Sequence, residues 1–207
     1  MGRPPLNTKQ NLIDTALELI WTHSYGSVSV DDICKAAGVK KGSFYHFFPS
    51  KVDLAIAAME ESFAEMKPLY DGIFSADTPP VQRFERMAEF ILTKQIEAAQ
   101  KYGQVCGCPC ASLGSEMASQ EAGIRTKFED IAHRHERYYE NALRDMVAEG
   151  LLPNTTDVKI KAQEVYTYAL GQMMVARIQN DLSALKRDLK PGLLLLLGIE
   201  GSSAKVA

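Results

Sequence analysis

The most reactive side chains in this sequence form a cluster of three cysteines, Cys106, Cys108 and Cys110, within five positions. Pro109 suits the first position of a helix, which places Cys108 at the helix cap and Cys110 in the first turn. The positive end of a helix lowers the pKa of a nearby thiol, so we expect thiolate character here. If they are exposed, these thiols would react with oxidants or electrophiles, and they lie close enough together to form a disulfide.

Two other interpretations of the cysteines stay open. A cysteine outside a disulfide is often a small, buried and inert apolar residue, and we expect Cys34 to pack in this way. The third interpretation is metal binding. However, gaps of one residue are shorter than the usual spacing of zinc ligands, and His133 and His135 are not at a ligand spacing on one helix face. We therefore predict no metal site and no cofactor.

A second group of polar residues lies in the segment 29–51, whose pattern predicts two short helices joined by a turn. Ser29 or Asp31 can cap the first helix, and Gly38 supplies the left-handed conformation that ends it. The second helix begins near Lys40, and its first residues offer positive charge, a hydroxyl group and little bulk. These properties suit a recognition helix that enters the major groove of DNA.

The same segment resembles the tetracycline-repressor (TetR) family of bacterial transcription regulators. The family's pattern of Ala-Gly-Val, Gly-Ser or Gly-Thr, Tyr, Phe, Pro or Gly, Ser-Lys, an acid and Leu is present between Ala37 and Leu54. The resemblance implies that the Tyr, the residue after it and the Lys contact the phosphates of double-stranded DNA. The expected DNA-binding residues are Ser29, Lys40, Lys41, Gly42, Ser43, Tyr45, His46 and Lys51.

Composition and charge agree with a DNA-binding protein that has a larger, acidic body. The chain has 207 residues, 46% of them hydrophobic, which suffices for a small domain and a larger one. Residues 1–51 contain six Lys and Arg and four Asp and Glu, so their net charge is +2. Because the whole chain has a net charge of −3, residues 52–207 carry −5. Positive charge is thus concentrated where DNA would bind, and Arg3 lies in an N-terminal arm that could reach a minor groove.

The sequence gives no sign of a membrane or secreted protein. The first ten residues are polar and contain two prolines, unlike a secretory signal. The apolar run from Leu193 to Leu197 is far shorter than the about 20 residues that a membrane helix needs. We therefore expect a cytoplasmic protein.

Hydrophobic periodicity beyond residue 51 predicts a succession of helices. Ser50 caps a helix that Pro68 closes, and a helix after the loop 75–80 ends near Gly103. The longest stretch of apolar residues at helical spacing follows Gly123. We therefore predict an all-α fold.

The last two helical segments, 157–180 and 182–198, are apolar over much of their surface, with a kink or break expected at Pro191. The TetR resemblance implies that they pair with a second copy of the chain as a four-helix bundle. Packing within one subunit is the alternative use of such residues. We predict a helix-turn-helix DNA-binding domain over residues 1–50 and a larger helical effector-binding and dimerisation domain over residues 51–207.

Bulky aromatic and flexible Met side chains in the body suit an adaptable apolar effector pocket, although each can equally pack the core. The segment Gly-Cys-Pro followed by Leu and Glu also resembles a TetR subgroup that includes repressors responding to N-ethylmaleimide and other reactive electrophiles. The expected effector-binding or sensing residues are Cys106, Cys108, Cys110, Phe63, Met66, Phe84, Met87, Ile91, Leu113, Met117, Phe128, Tyr138 and Tyr166.

Together these features predict a homodimeric transcription regulator, a repressor that a small apolar or electrophilic effector releases from a palindromic operator. One alternative is a helical thiol oxidoreductase that uses the cysteine cluster, although no Cys-x-x-Cys motif or general base supports it. The other is a constitutive architectural DNA-binding protein, which would lack a defined operator.

Overall fold

The computed structural model describes residues 6–199, with side chains from residue 8 onward. Every regular element in this part of the chain is an α-helix, which confirms the predicted all-α fold. The position of Arg3 lies outside the described residues. The helices are α1 (Leu6–Thr22), α2 (Val30–Ala37), α3 (Lys41–Phe47), α4 (Lys51–Ile73), α5 (Pro80–Tyr102), α6 (Pro109–Met117), α7 (Ala122–Ala148), α8 (Val158–Gln179) and α9 (Ser183–Leu196).

The described residues group into two compact units. Unit 1 comprises residues 6–66 and 108–131, and unit 2 comprises residues 67–107 and 132–199. Helices α4 and α7 each contribute residues to both units. This grouping reflects packing, and the predicted division of function at residue 50 stays a prediction.

The two short helices of the predicted helix-turn-helix begin and end at residues whose local chemistry explains the boundary. The Ser29 hydroxyl accepts the backbone N–H of Asp32 and the Asp32 carboxylate accepts that of Ser29, a reciprocal capping box at the start of α2. Gly38 ends α2 with a φ of 65°, a conformation that favours glycine. The side-chain amide of Asn11 donates to the Ala37 carbonyl at 2.7 Å and fixes this turn to α1.

The core of unit 1 draws apolar side chains from α1, α2, α3, α4, α6 and α7. Phe44 and Phe48 are buried in it, so these two rings pack the core and do not stack on bases. The fully buried side chains of this core are Leu12, Ala16, Ile33, Phe44, Leu54, Ala55 and Ile124.

In unit 2, α9 packs on both α5 and α8. The most deeply buried large side chains of this unit are Phe84, Met87, Leu143, Met146, Leu185, Leu189 and Leu193. Gly103 ends α5 with a positive φ, where the sequence predicted the end of this helix, and the Asp157 carboxylate accepts two backbone N–H groups at the start of α8.

Two prolines lie inside helices. Pro68 does not close α4, which continues to Ile73, so that prediction was wrong. Pro191 does not break α9, which continues to Leu196, and a kink at Pro191 stays a prediction. A proline inside a helix costs about 3 kcal/mol of stability. Burial of apolar side chains in the turn that follows the proline offsets this cost. The buried side chains are Tyr70 after Pro68 and Leu193 after Pro191.

Candidate functional site

The exposed side of α3 carries most of the polar residues that were expected to bind DNA. Lys41, Gly42, Tyr45 and His46 are all exposed, and 52% of the Tyr45 surface is accessible to solvent. Residues at these spacings lie on one side of a helix. The opposite side of the same helix buries Phe44 completely. Helix α3 is thus an amphipathic helix fixed by its apolar side, with a polar side open to a partner.

Gly42 has no packing role that would explain a glycine in the first turn of α3. A Cβ atom at this position would meet no other heavy atom within 4 Å, and its φ is not positive. Glycine inside a helix costs about 1 kcal/mol relative to alanine. The residue therefore leaves open space above the helix backbone, where a base edge or a phosphate could approach closely.

The other expected DNA-binding residues near this surface differ in exposure and in the hydrogen bonds they make; they are Ser29, Lys40, Lys41 and Ser43. Lys40 is exposed at the cap of α3, and Ser43 is half-buried. Lys41 pairs with Asp31 at 2.9 Å, and both side chains are largely exposed, so water screens the pair and a phosphate could replace the carboxylate. The Ser29 hydroxyl donates to the Asp32 carboxylate, and this bond lowers the pKa of Asp32.

Lys51, at the start of α4, is bound within unit 1. Its Nζ atom donates to the carbonyl oxygens of Tyr25 and Val28, each at 2.6 Å, and lies 3.8 Å from the centre of the Tyr25 ring. Burial lowers the pKa of Lys51, and the charges of nearby carboxylates oppose this effect. The predicted phosphate contact of Lys51 stays a prediction, but the ammonium group already has two acceptors inside the fold.

Pro109 does begin α6 and Cys108 is its cap residue, as the sequence predicted. Only 1% of Cys106 and 5% of Cys110 is exposed, whereas Cys108 is half-buried. A hydrogen bond to Cys108 and burial raise the pKa of Cys110 well above its usual value, and burial raises that of Cys106. The lowering of thiol pKa expected at the helix end was therefore wrong for Cys110, because the hydrogen bond to Cys108 and the loss of hydration both raise its pKa.

An apolar cleft in unit 1 lies beside Cys110. It lies between α1, α4 and α6 and is small, with a cavity volume of about 10 Å³. Two of the predicted effector residues, Cys110 and Leu113, line this cleft. The other lining residues are Leu17, Ile20, Trp21, Ala55, Ala58, Met59 and Pro109.

An aromatic cluster in unit 2 surrounds His135 of α7. The centre of the His135 ring lies 4.8 Å from that of Tyr70 and 6.1 Å from that of Tyr166. Burial lowers the pKa of His135 to about 4, so the imidazole is neutral at physiological pH. The Tyr138 hydroxyl donates to the Asp71 carboxylate. Further rings of the cluster belong to Phe74, Phe84, Phe90 and Tyr139.

The predicted effector residues are divided between the two units. Unit 1 contains Phe63, Met66, Cys108, Cys110, Leu113, Met117 and Phe128, and unit 2 contains Phe84, Met87, Ile91, Cys106, Tyr138 and Tyr166. The sequence analysis did not select Phe74, Phe90 or His135 for an effector site. Phe74 and Phe90 continue the apolar patterns of α4 and α5, and His135 falls on the apolar side of α7 at helical spacing, so periodicity could have found all three.

Helices α8 and α9 present apolar side chains to solvent in a single chain. Val175 is 48% exposed, Ile178 is 80% exposed and Leu195 is 76% exposed. Gly171 lies one turn before Val175, is also exposed, and has no heavy atom within 4 Å of an added Cβ. Ala169 of α8, by contrast, is 3% exposed and packs inside its own subunit.

The chain matches two family models. Residues 12–58 match the model described as bacterial regulatory proteins, tetR family, and residues 84–190 match the model described as tetracyclin repressor-like, C-terminal domain. The second match alone covers more than half of the chain. This chain belongs to the TetR family of transcriptional regulators. The first match contains the complete helix-turn-helix, from Ser29 to Phe47, and the second contains the loop that carries Cys106.

Individual TetR-family proteins are similar over most of their length. The transcriptional regulator AcuR of Cereibacter sphaeroides is 31% identical over 174 residues, 82% of this chain and 76% of AcuR. The HTH-type transcriptional repressor NemR of Escherichia coli is 22% identical over 183 residues, 88% of this chain and 90% of NemR. A TetR-family regulator from Agrobacterium tumefaciens, 21% identical, has the same fold with a TM-score of 0.80, covering 92% of this chain and 97% of that structure.

These relatives are transcriptional regulators and not enzymes, so the oxidoreductase alternative is set aside. Over the described range, no helix combines the length and the apolar character needed to cross a membrane. Within that same range, no three His, Cys, Asp or Glu side chains come together as a set of metal ligands.

Proposed function

We propose that this TetR-family regulator is a homodimeric repressor that binds a palindromic operator and is released from it by a small apolar or electrophilic effector. The observation that carries the proposal is the exposed polar side of α3, with Gly42 open above the backbone between Lys41 and Tyr45. Nothing in the packing of unit 1 requires this arrangement, whereas a helix that enters a major groove does. The relative NemR is itself named a repressor.

In the proposed complex, α3 lies in the major groove with its first turn toward the base edges. Lys40 and Lys41 supply charge for guanine or phosphate, and Ser43 supplies a hydroxyl group. Tyr45 and His46, one turn further along, reach the sugar-phosphate backbone. The pairing of Lys41 with Asp31 holds its side chain at the surface until DNA displaces the carboxylate.

A dimer is needed because one such helix reads only half of a palindrome. The exposed residues Gly171, Val175 and Ile178 follow one another at helical spacing along α8, and Gly171 would allow a partner helix to approach closely. Leu195 of α9 adds a further exposed apolar side chain. We propose these residues as the interface that places two recognition helices about 34 to 36 Å apart.

The proposed effector site is the aromatic cluster around His135 in unit 2. Its rings and neutral imidazole suit an apolar or aromatic molecule, with the Tyr138 hydroxyl and His135 as polar groups that could orient it. Helix α4 contributes Tyr70 to this cluster and is continuous back to Lys51 in unit 1. An effector that displaces Tyr70 would therefore move the helix that follows the helix-turn-helix, and would alter operator binding.

The proposal is tested by crosslinking the protein to DNA in cells and sequencing the DNA that co-purifies. We expect a short inverted repeat that the purified protein binds as one dimer, and a Lys41→Gln, Tyr45→Ala double variant that folds but does not bind it. Enrichment of many unrelated sequences with equal affinity would instead identify a constitutive architectural protein. Sedimentation velocity of the free protein would refute the dimer by showing a monomer at the concentrations that bind DNA.

A second candidate effector is an electrophile that modifies the cysteine pair Cys108 and Cys110. The observation in its favour is that Cys110 lines the apolar cleft, while Cys108, two residues earlier at the start of α6, is only half-buried. In the proposed reaction the Cys108 sulfur adds to the double bond of N-ethylmaleimide, and the neighbouring carbon takes up the proton, with no leaving group. Loss of DNA binding after treatment, retained in Cys34→Ser and absent in Cys108→Ser, is the expected result. A modified protein with unchanged affinity would contradict it.

A further inference from the structure

The turn between α1 and α2 in unit 1 is held by two opposite charges. The Glu116 carboxylate of α6 accepts the backbone N–H of Tyr25 at 2.9 Å and that of Gly26 at 2.6 Å. Lys51 of α4 donates to the carbonyl oxygens of Tyr25 and Val28 in the same turn. The negatively charged Glu116 side chain thus binds backbone N–H groups of this turn, and the positively charged Lys51 side chain binds its backbone carbonyl groups. The next residue, Ser29, caps the first helix of the helix-turn-helix.

Gly26 leaves room for this close approach of the carboxylate to the backbone. Its φ is not positive, so backbone conformation does not explain the glycine. A Cβ atom at position 26 would lie 3.0 Å from Oε1 of Glu116, so a side chain here would displace the carboxylate by a few tenths of an ångström. Glu116 is 90 positions away from Gly26 in the sequence, so the contact joins distant segments of unit 1.

The chain enters α6 from a loop that is held in unit 2. Gln95 of α5 accepts the backbone N–H of Gly107 at 3.0 Å and donates to the Gly107 carbonyl at 3.1 Å, and Gln95 is 5% exposed. Arg177 of α8 donates to the Cys106 carbonyl at 2.5 Å, and the Asn180 side chain accepts the N–H of Val105 at 2.8 Å. Three side chains thus fix the loop 103–107 to α5 and to the end of α8.

Gly107 confirms how closely this loop approaches α8. Its φ is +67°, and a Cβ atom would lie 3.1 Å from Cβ of Arg177 and 3.3 Å from the carbonyl oxygen of Met173. Gly107 is the last residue of unit 2 in this segment, and Cys108 is the first of unit 1. Helix α6 spans nine residues, about 13 Å at 1.5 Å per residue, from that junction to its last turn, where Glu116 lies.

We propose that Glu116 is a positioning residue that couples the loop 103–107 to the helix-turn-helix. The proposal rests on the proposed function, because it needs a protein that binds an operator under control from its body. With the carboxylate bound to the turn, a displacement of the loop moves α6 and shifts the turn that precedes α2. Without the carboxylate, α2 and α3 stay packed on the core of unit 1, but a displacement of α6 no longer shifts them. Coupling between two sites is reciprocal, so binding of DNA must also alter the loop.

This reciprocity gives a test that needs no knowledge of the effector. Amide hydrogen exchange is measured by mass spectrometry on the full-length protein, alone and with a DNA duplex obtained by in vitro selection. We expect peptides covering residues 103–107 to exchange about 5-fold more slowly or more with the duplex, a typical size for coupling between sites. We expect Glu116→Gln to bind the duplex without this change in the loop. A residue that only stabilises the fold would not move the exchange of a loop in the other unit.

Two matched variants complete the experiment. Glu129→Gln, at an exposed position on α7 in unit 1, removes a carboxylate of the same charge and should keep the response of the loop. Gly26→Ala pushes the carboxylate away from the other side of the contact and should lose the response, which keeps the test decisive if Glu116→Gln does not fold.

Three outcomes overturn the inference. Wild-type protein that binds the duplex with unchanged exchange at residues 103–107 refutes the coupling alone. A Glu116→Gln variant with the full wild-type response assigns the coupling to other residues. Wild-type protein that binds no selected duplex refutes the proposed function, and with it this inference.

Discussion

Lowering the pH from 7.5 to 5 should destabilise this protein through His135. The pKa of His135 is about 4 in the folded protein, against an ordinary value of 6.5, because its ring is buried between Tyr70 and Tyr166. Between these two pH values the unfolded chain binds a proton and the folded chain does not. The free energy of unfolding therefore falls as the pH drops below about 6.5 and levels off below about 4.

The two pKa values give the size of the effect. Linkage predicts a loss of about 2 kcal/mol at pH 5 and about 3 kcal/mol below pH 4 from this one residue, relative to pH 7.5. These are upper values, because the residue as a whole keeps some contact with solvent although Nδ1 is buried. Carboxylates also titrate in this range, so the contribution of His135 must be measured as a difference between two proteins.

The matched comparison is His135→Gln, which is neutral at every pH in the range. Urea unfolding of wild type and variant at pH 7.5 and pH 5 gives four free energies of unfolding, and the packing cost of the substitution cancels in their double difference. We expect the variant to lose about 2 kcal/mol less than wild type over this interval. His133→Gln, at an exposed position on the same helix, should behave like wild type. Equal pH dependence of wild type and His135→Gln would refute the burial argument.

Three further predictions concern the DNA-reading surface, its anchor and the dimer. Lys41→Gln should weaken operator binding without loss of fold and reduce the slope of log affinity against log salt by about 1; an unchanged slope would exclude a phosphate contact. Lys51→Met should lower the free energy of unfolding by about 1 to 3 kcal/mol, because the carbonyls of Tyr25 and Val28 lose a charged donor; unchanged urea unfolding would show that water replaces it. Ile178→Asp should yield monomers in sedimentation velocity and abolish tight operator binding, and an intact dimer would exclude this side of α8.

Features that depend on a few neighbouring residues could be predicted from the sequence. The caps at Ser29, Gly38 and Asp157 were predictable because a side-chain oxygen or a left-handed glycine acts within one turn. The start of α6 at Pro109 followed from the same local chemistry.

Features that depend on distant segments could not be predicted in this way. The pKa of Cys110 is raised by a hydrogen bond to Cys108 and by burial, and the burial comes from helices that lie far away in the sequence, so the argument from the helix end gave the opposite sign. The contact of Glu116 with Tyr25 joins residues 91 positions apart and leaves no periodic pattern. Pro68 was misjudged for the same reason, since the burial of the following turn decides whether a helix tolerates a proline.

The cleft beside Cys110 gives this protein an intrinsic optical probe. Trp21 is the one tryptophan in the sequence, and it lines that cleft in unit 1. Indole emission, excited at a wavelength that selects indole over phenol, therefore reports on the surroundings of α1, α4 and α6. A ligand that changes this emission has altered the unit that carries α3, whether it binds in the cleft or acts on α4 or α6 from a distance.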